Sequence, residues 1–186
     1  MACELTKGRI EPCKDSVGGL KEVYFADFGD LNAANSNLGI NDEIIEFDST
    51  SVTVYKYDLK GNSSFEQAIT SSRENGTTYF EQTLNLTLKK LSQADNKEVK
   101  LLAYGRPQII VRDYNDNYFL VGRENGAEVT GGTIVTGAAM ADLSGYTLTF
   151  SGQETLPANF ITIDNVSGNT ITVGSTALTI TSGSDF

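Results

Sequence analysis

Asp113, Asn115 and Asn117 alternate along the chain, and Glu124 stands at the twelfth place counted from Asp113. That is the oxygen-ligand order of a calcium-binding loop. The sixth place, where such a loop needs glycine for its sharp turn, is Tyr118, and the flanks read as strands, so a polar hairpin turn is expected instead. The chain has 24 Asp and Glu residues, enough to supply an acid–base pair by number alone. Sugar-cleaving chemistry needs two carboxylates at a set separation with one of them desolvated. Nothing in the sequence singles out such a pair, and there is no tryptophan to act as a sugar platform. Histidine is also absent, which excludes Ser–His and Cys–His nucleophiles and imidazole metal sites. Cys3 and Cys13 are too few to close a tetrahedral zinc site. Two reduced thiols are expected of them, with a short-loop disulfide as the alternative. Gly131-Gly132 and Gly137 lack the Lys-Ser/Thr that completes a phosphate-binding loop. No catalytic, cofactor-binding or metal-binding set is therefore expected, and the chain does not read as an enzyme.

The formal net charge is −10. A field of that sign repels phosphate backbones and anionic lipid headgroups, so attachment to nucleic acid is not expected. A surface past which nucleic acid slides without sticking remains open. The N-terminal residues contain no apolar signal-peptide core, and no apolar run approaches the roughly 20 residues of a membrane helix. A soluble protein of cytoplasmic synthesis is expected.

The elements that must carry any function are mostly strands. Thr beside Val, Ile and Tyr fits a pleated, half-buried surface. Residues 1–19 read as an extended N-terminal arm, 20–28 as the first strand and 29–42 as a loop. In 51–59, Val52 and Val54 alternate with Thr53, Tyr55 and Tyr57. Segments 63–73 and 77–89 form a long hairpin around Glu74-Asn75-Gly76, because Asn-Gly between β-rich runs is a strong turn signal. One face of its second strand carries Phe80, Leu84, Leu86 and Leu88, with only Gln82 interrupting. The other face of the hairpin carries Glu66, Thr70, Ser72, Tyr79, Glu81, Thr83, Asn85 and Thr87, which predicts one side for a core and one for water.

One helix is expected over 92–104. Ser92 and Asp95 resemble a capping box, Val99, Leu102 and Ala103 form a stripe, and Gly105 and Pro107 stop it. A second hairpin, 108–122, follows. Then come a glycine-rich strand region from 125 and an alternating strand over 144–152, with Tyr146, Leu148 and Phe150 against Thr147, Thr149 and Ser151. Residues 159–186 hold three short strand-like runs (159–163, 169–173 and 177–181) and read as a C-terminal β extension or a tail. The fold class is mainly β, a sandwich or barrel with one short helix, with the main domain over 20–158.

The order of long hairpin (63–89), helix (92–104), hairpin (108–122) and glycine-rich strand region (125–152) resembles the tail tube proteins, or major tail proteins, of long-tailed bacteriophages. Asp142-Leu143-Ser144-Gly145-Tyr146-Thr147-Leu148-Thr149-Phe150 is similar to a late strand of that family. The resemblance implies homo-oligomeric, hexameric rings stacked into a virion tail tube and assembled in the host cytoplasm. It implies that the long hairpins of neighbouring subunits line one shared barrel and that other tail proteins (tape measure, connector, tail tip) are partners. DNA would pass through without specific binding. The polar hairpin face, Glu66 to Thr87, would then face the lumen, and Asn32, Asn35, Leu38 and Ile40 in the 29–42 loop would meet neighbouring subunits. Two alternatives stay open: another virion component (capsid decoration, head–tail connector or fibre domain), or a β-sandwich adhesion or binding module.

Overall fold

The computed structural model describes residues 7–10, 13–31, 36–60 and 62–183. Its strands are β1 (Leu20–Ala26), β2 (Ser36–Leu38), β3 (Ile44–Phe47), β4 (Ser51–Asp58), β5 (Ser64–Ser72) and β6 (Thr77–Lys89), followed by helix α1 (Gln93–Tyr104). After the helix come β7 (Gln108–Asp113), β8 (Tyr118–Val121), β9 (Glu128–Val135), β10 (Gly145–Glu154), β11 (Asn159–Ile161), β12 (Asn165–Ser167), β13 (Thr170–Val173) and β14 (Thr176–Ser182). They form two sheets. Sheet A has the order β12-β13-β14-β4-β1-β7-β8-β11-β3-β2, and sheet B the order β5-β6-β10-β9. The chain is thus mainly β, consistent with a two-sheet sandwich, with one helix among the described residues.

The middle of sheet A is apolar on both faces. Tyr24 and Ala26 of β1 and Ile110 of β7 enter one core, while Val23 and Phe25 of β1 and Ile109 and Val111 of β7 enter another. Strands covered on both sides read as unbroken apolar runs, as Val23–Ala26 and Ile109–Val111 do. The first core is enclosed by sheet A itself, which curls until the β13–β14 turn meets β3. There the Thr176 hydroxyl donates to the Phe47 carbonyl at 2.7 Å, and Ile171, Val173 and Leu178 pack with Ile44 and Phe47.

The second core lies between the sheets, where Leu84 and Leu86 of β6 and Tyr146, Leu148 and Phe150 of β10 meet the outer face of β1 and β7. Fully burying such a side chain contributes about 1.5–3 kcal/mol relative to leaving it exposed. Helix α1 caps one side of this core. The Ser92 hydroxyl accepts the Asp95 N–H at 3.0 Å, as the capping signal predicts, and Val99 is buried with Leu102 packed beside it. Ala103, expected on the same stripe, is exposed.

Three expectations need revision. The 29–42 loop contains β2, which pairs antiparallel with β3. The first strand stops at Ala26, two residues early, and Asp27 begins a turn in which the Asp30 N–H bonds its carbonyl. Residues 159–182 are woven into sheet A rather than standing apart as an extension. β11 lies between β8 and β3, and β14 runs parallel to β4 from Ala177↔Ser51 to Ser182↔Lys56. Their apolar residues Ile161, Ile171, Val173, Leu178 and Ile180 alternate into the first core, which is why these strands are held. The described part of the arm has no strand or helix before Leu20. It is fastened near its end by Val17, whose N–H and carbonyl both bond the Asn115 side chain. Cys13 in it is exposed, and Cys3 lies outside the described residues.

Candidate functional site

Sheet B has a core side and an open side. Leu84 and Leu86 enter the core, so with a period of two the odd-numbered residues of β6 point the other way. The β5–β6 register then brings Glu66 opposite Thr83, Thr70 opposite Tyr79 and Ser72 opposite Thr77. All eight residues expected on the polar face (Glu66, Thr70, Ser72, Tyr79, Glu81, Thr83, Asn85 and Thr87) therefore share the side away from the core, and each is exposed or half-buried. On the core side, Leu84 and Leu86 are buried, whereas Phe80 and Leu88 are only half-buried.

The face is wider than the hairpin. β10 adds Thr147 opposite Thr87, Thr149 opposite Asn85, Ser151 opposite Thr83 and Gln153 opposite Glu81. β9 adds Thr133 and Gly131 beyond them, and Glu128 opposite Ser151. Two cross-strand bonds knit the hydroxyls together: Thr133 with Thr147 at 2.6 Å, and the Thr149 hydroxyl donating to Asn85 Oδ1 at 2.9 Å. The alternation of 144–152 already separates Thr147, Thr149 and Ser151 from the apolar residues. What it cannot give is the pairing of β10 with β6, which places them on the same wall.

Charge on this face is graded. Glu66 and Glu128 stand in one row with Thr83 and Ser151 across the middle of the sheet, Glu81 stands one pair nearer the β5–β6 turn, and Lys89 stands at the opposite end. The rest of the surface offers mainly hydroxyls, amides and backbone, with the apolar Ala68 and Val135 among them.

Both edges of sheet B are open. β5 and β9, of nine and eight residues, each have a strand on one side only among the described residues. A long, flat, unpaired edge is a template for another strand, and proteins normally shorten, charge or cover it. Here β9 reads Glu-Val-Thr-Gly-Gly-Thr-Ile-Val, without proline or lysine to block pairing, and its register with β10 shifts at Thr130.

Other polar clusters have local roles. Asp113 Oδ1 accepts the backbone N–H groups of Asn115 and Asn117, each at 2.8 Å, and its other oxygen accepts from the Asn117 amide. Burial works against the ionised form, yet these bonds from Asn117 and Asn115 hold the carboxyl below its usual range. Glu124, the twelfth residue, lies beyond the far end of β8, where it accepts the Thr155 hydroxyl. The stretch is a capped hairpin turn.

Glu22 lies 2.8 Å from both Lys56 and Arg112 and accepts the Tyr24 hydroxyl at 2.7 Å. Burial alone would raise its pKa, but bonds from Lys56, Arg112 and Tyr24 bring it down to about 2. A cleft of about 210 Å³ between α1 and β1 and β4 is lined mainly by Phe25, Phe28, Tyr55, Tyr57 and Leu101, with the Arg106 guanidinium 4.8 Å from the Phe28 ring.

Of the residues expected to meet neighbouring subunits, Leu38 ends β2 and is exposed. Ile40 is fully exposed on a tight turn closed by the Gly39 N–H bonding the Glu43 carbonyl at 2.7 Å. Asn32 and Asn35 lie outside the described residues.

Comparison with family models, curated proteins and solved structures found no match to this chain.

Proposed function

We propose that this chain is the repeating wall subunit of a tail tube, a virion conduit built from rings through which DNA passes. The observation that carries the reading is sheet B: one face in a core, the other hydroxyl-rich and acidic, and both long edges unpaired among the described residues. An open sheet of this kind is completed by copies of itself. The β5 edge of one copy pairs with the β9 edge of the next, and the ring closes when the last copy meets the first, leaving no edge exposed. Rings of six copies are what the family resemblance implies.

In that arrangement the polar face of every copy points into one lumen. A polyanion in the lumen meets carboxylates and hydroxyls rather than cations, so the wall guides by repulsion and offers no counterion-releasing contacts that would hold the DNA. The mechanism assigns no bond-making or bond-breaking step to the chain. Its partners are other copies, the remaining tail proteins and transient DNA.

Negative-stain microscopy and sedimentation of the purified chain over a range of concentrations test this. Annular particles and tubes with a central channel are expected. A monodisperse monomer at the highest concentration overturns the reading.

A further inference from the structure

The tetrapeptide Arg-Glu-Asn-Gly occurs twice, at 73–76 and again at 123–126. Asparagine followed by glycine is open to self-attack, because glycine carries no side chain to keep its backbone nitrogen away from the side-chain carbonyl carbon of the asparagine. Asparagine accordingly counts among the thermolabile residues. An intramolecular reaction of this kind runs only where the reacting atoms can come together in the right geometry. The fold places the two identical stretches in opposite circumstances.

At 123–126 the reacting groups are held apart. The N–H groups of Glu124 and Asn125 both bond Glu154 Oε1, at 3.1 and 2.9 Å, and the Asn125 amide donates to the Gln153 carbonyl at 2.8 Å. The Gly126 N–H is committed to the Gly122 carbonyl at 3.1 Å. Gly126 is buried so close to the Arg106 carbonyl that a Cβ there would stand 2.7 Å from it. At 73–76 all four residues are exposed, in the turn between β5 and β6. Asn75 is tied through its own N–H, which donates to Ser72 Oγ at 3.3 Å, and its side chain has no hydrogen bond among the described residues. Around Gly76 nothing lies within 4 Å of where a Cβ would stand.

We propose that Asn75 is a site of spontaneous covalent modification, with water as the co-reactant, and that the fold protects its twin at Asn125. The Gly76 backbone nitrogen bonds to Asn75 Cγ, and the Cγ–Nδ2 bond breaks. Ammonia leaves, taking the proton that the Gly76 nitrogen carried, and a cyclic imide remains. Water then opens the ring at one of its two carbonyl carbons. Opening at Cγ leaves an aspartyl residue. Opening at the backbone carbonyl carbon leaves an isoaspartyl residue, in which the main chain runs through Cγ and is one atom longer. Either way a neutral amide becomes a carboxylate, and a tip that balanced Arg73 against Glu74 turns net negative. The longer form sits where the hairpin closes, beside the Ser72↔Thr77 pair and the Ser71–Thr78 hydroxyl bond at 2.9 Å, and it loosens both. The released ammonia does not return, so the tip records the age of each copy. The inference needs no neighbouring subunit and is independent of the tube reading.

The test uses the full wild-type chain, folded and, in parallel, unfolded in urea. Both samples are held in mildly alkaline buffer and digested at intervals for mass spectrometry. The mass difference between amide and acid reads conversion at each site, and chromatography separates aspartyl from isoaspartyl peptides. In the folded chain Asn75 is expected to convert and Asn125 to lag by about tenfold or more, since two hydrogen bonds must break before ring closure at Asn125 and none at Asn75. In urea, where both tetrapeptides meet the same solvent, the two rates are expected to converge. Asn75→Gln, which would have to close a larger and slower ring, is expected to remove the main acidic species that grows with time on ion exchange. Equal rates at the two sites of the folded chain, or a folded chain in which Asn75 stays intact, overturn the inference. A tenfold gap that persists in urea overturns the part assigned to the fold, because the flanking sequence would then set the difference.

Discussion

Gln82 Oε1, on the core face of β6, accepts the Gly122 N–H at 2.9 Å, across from one sheet to the other. The single polar interruption in the run Phe80–Leu88 is thus a clamp between the sheets. It is 1% exposed and satisfies a backbone donor in a glycine whose φ of 68° suits the turn there. Gln82→Leu would fit the apolar surroundings but strand that N–H in the core. The expected loss is about 1–3 kcal/mol, read by urea unfolding at constant m-value. A variant as stable as wild type would mean that the bond contributes nothing.

Glu22 predicts an acid limb. Its folded carboxyl titrates at about 2, against 4.5 unperturbed, because the bonds from Lys56, Arg112 and Tyr24 outweigh the cost of burial. A lowered folded pKa gives stability that is present above the unfolded value and is lost as pH falls from about 4.5 toward 2. Glu22→Gln should melt lower at neutral pH and show a shallower decline over that window. Thermal melts from pH 7 to pH 2 check it, and an unchanged slope would remove Glu22 as the source.

Glu154 predicts the opposite sign. Burial, with the Glu124 charge beside it, raises its pKa, although it accepts the N–H groups of Asn125 and Glu124 at 2.9 and 3.1 Å. A raised folded pKa gives stability that is present below the unfolded value and is lost as pH rises through the folded one. Glu154→Gln keeps an acceptor without the buried charge. Its melting temperature relative to wild type should therefore climb between pH 4 and pH 7, and a flat difference would contradict the assignment.

Reversing the wall charge should turn a repelling surface into a binding one. Assemblies of Glu66→Lys/Glu81→Lys are expected to retain double-stranded DNA at low salt and release it steeply as salt rises. Wild-type assemblies should show no such retention. Cosedimentation across a salt series reads both, and equal behaviour of the two would remove repulsion as the guiding principle.

Local chemistry made part of the fold readable. Asn75-Gly76 placed the hairpin tip to within a residue, and Ser92 with Asp95 placed the helix start. The period of two sorted β6 into core and open faces because its two faces meet different surroundings. Strand partners were another matter. Nothing in Ser51–Asp58 says that it pairs in parallel with Thr176–Ser182, since the register is set by side chains meeting in a core far away along the sequence. The same limit hid Thr147, Thr149 and Ser151 from the candidate wall. The unbroken apolar runs of β1 and β7 did carry a usable signal, namely cover on both faces and hence a second layer of structure beyond each.

The parallel union of β4 with β14 also fixes an order of events during synthesis. β4 leaves the ribosome early, yet one of its flanks stays bare until residues 176–182 have been made. Until then the nascent chain carries half-built sheet A with Val52 and Val54 uncovered, a period in which chaperone capture or premature association competes with native closure.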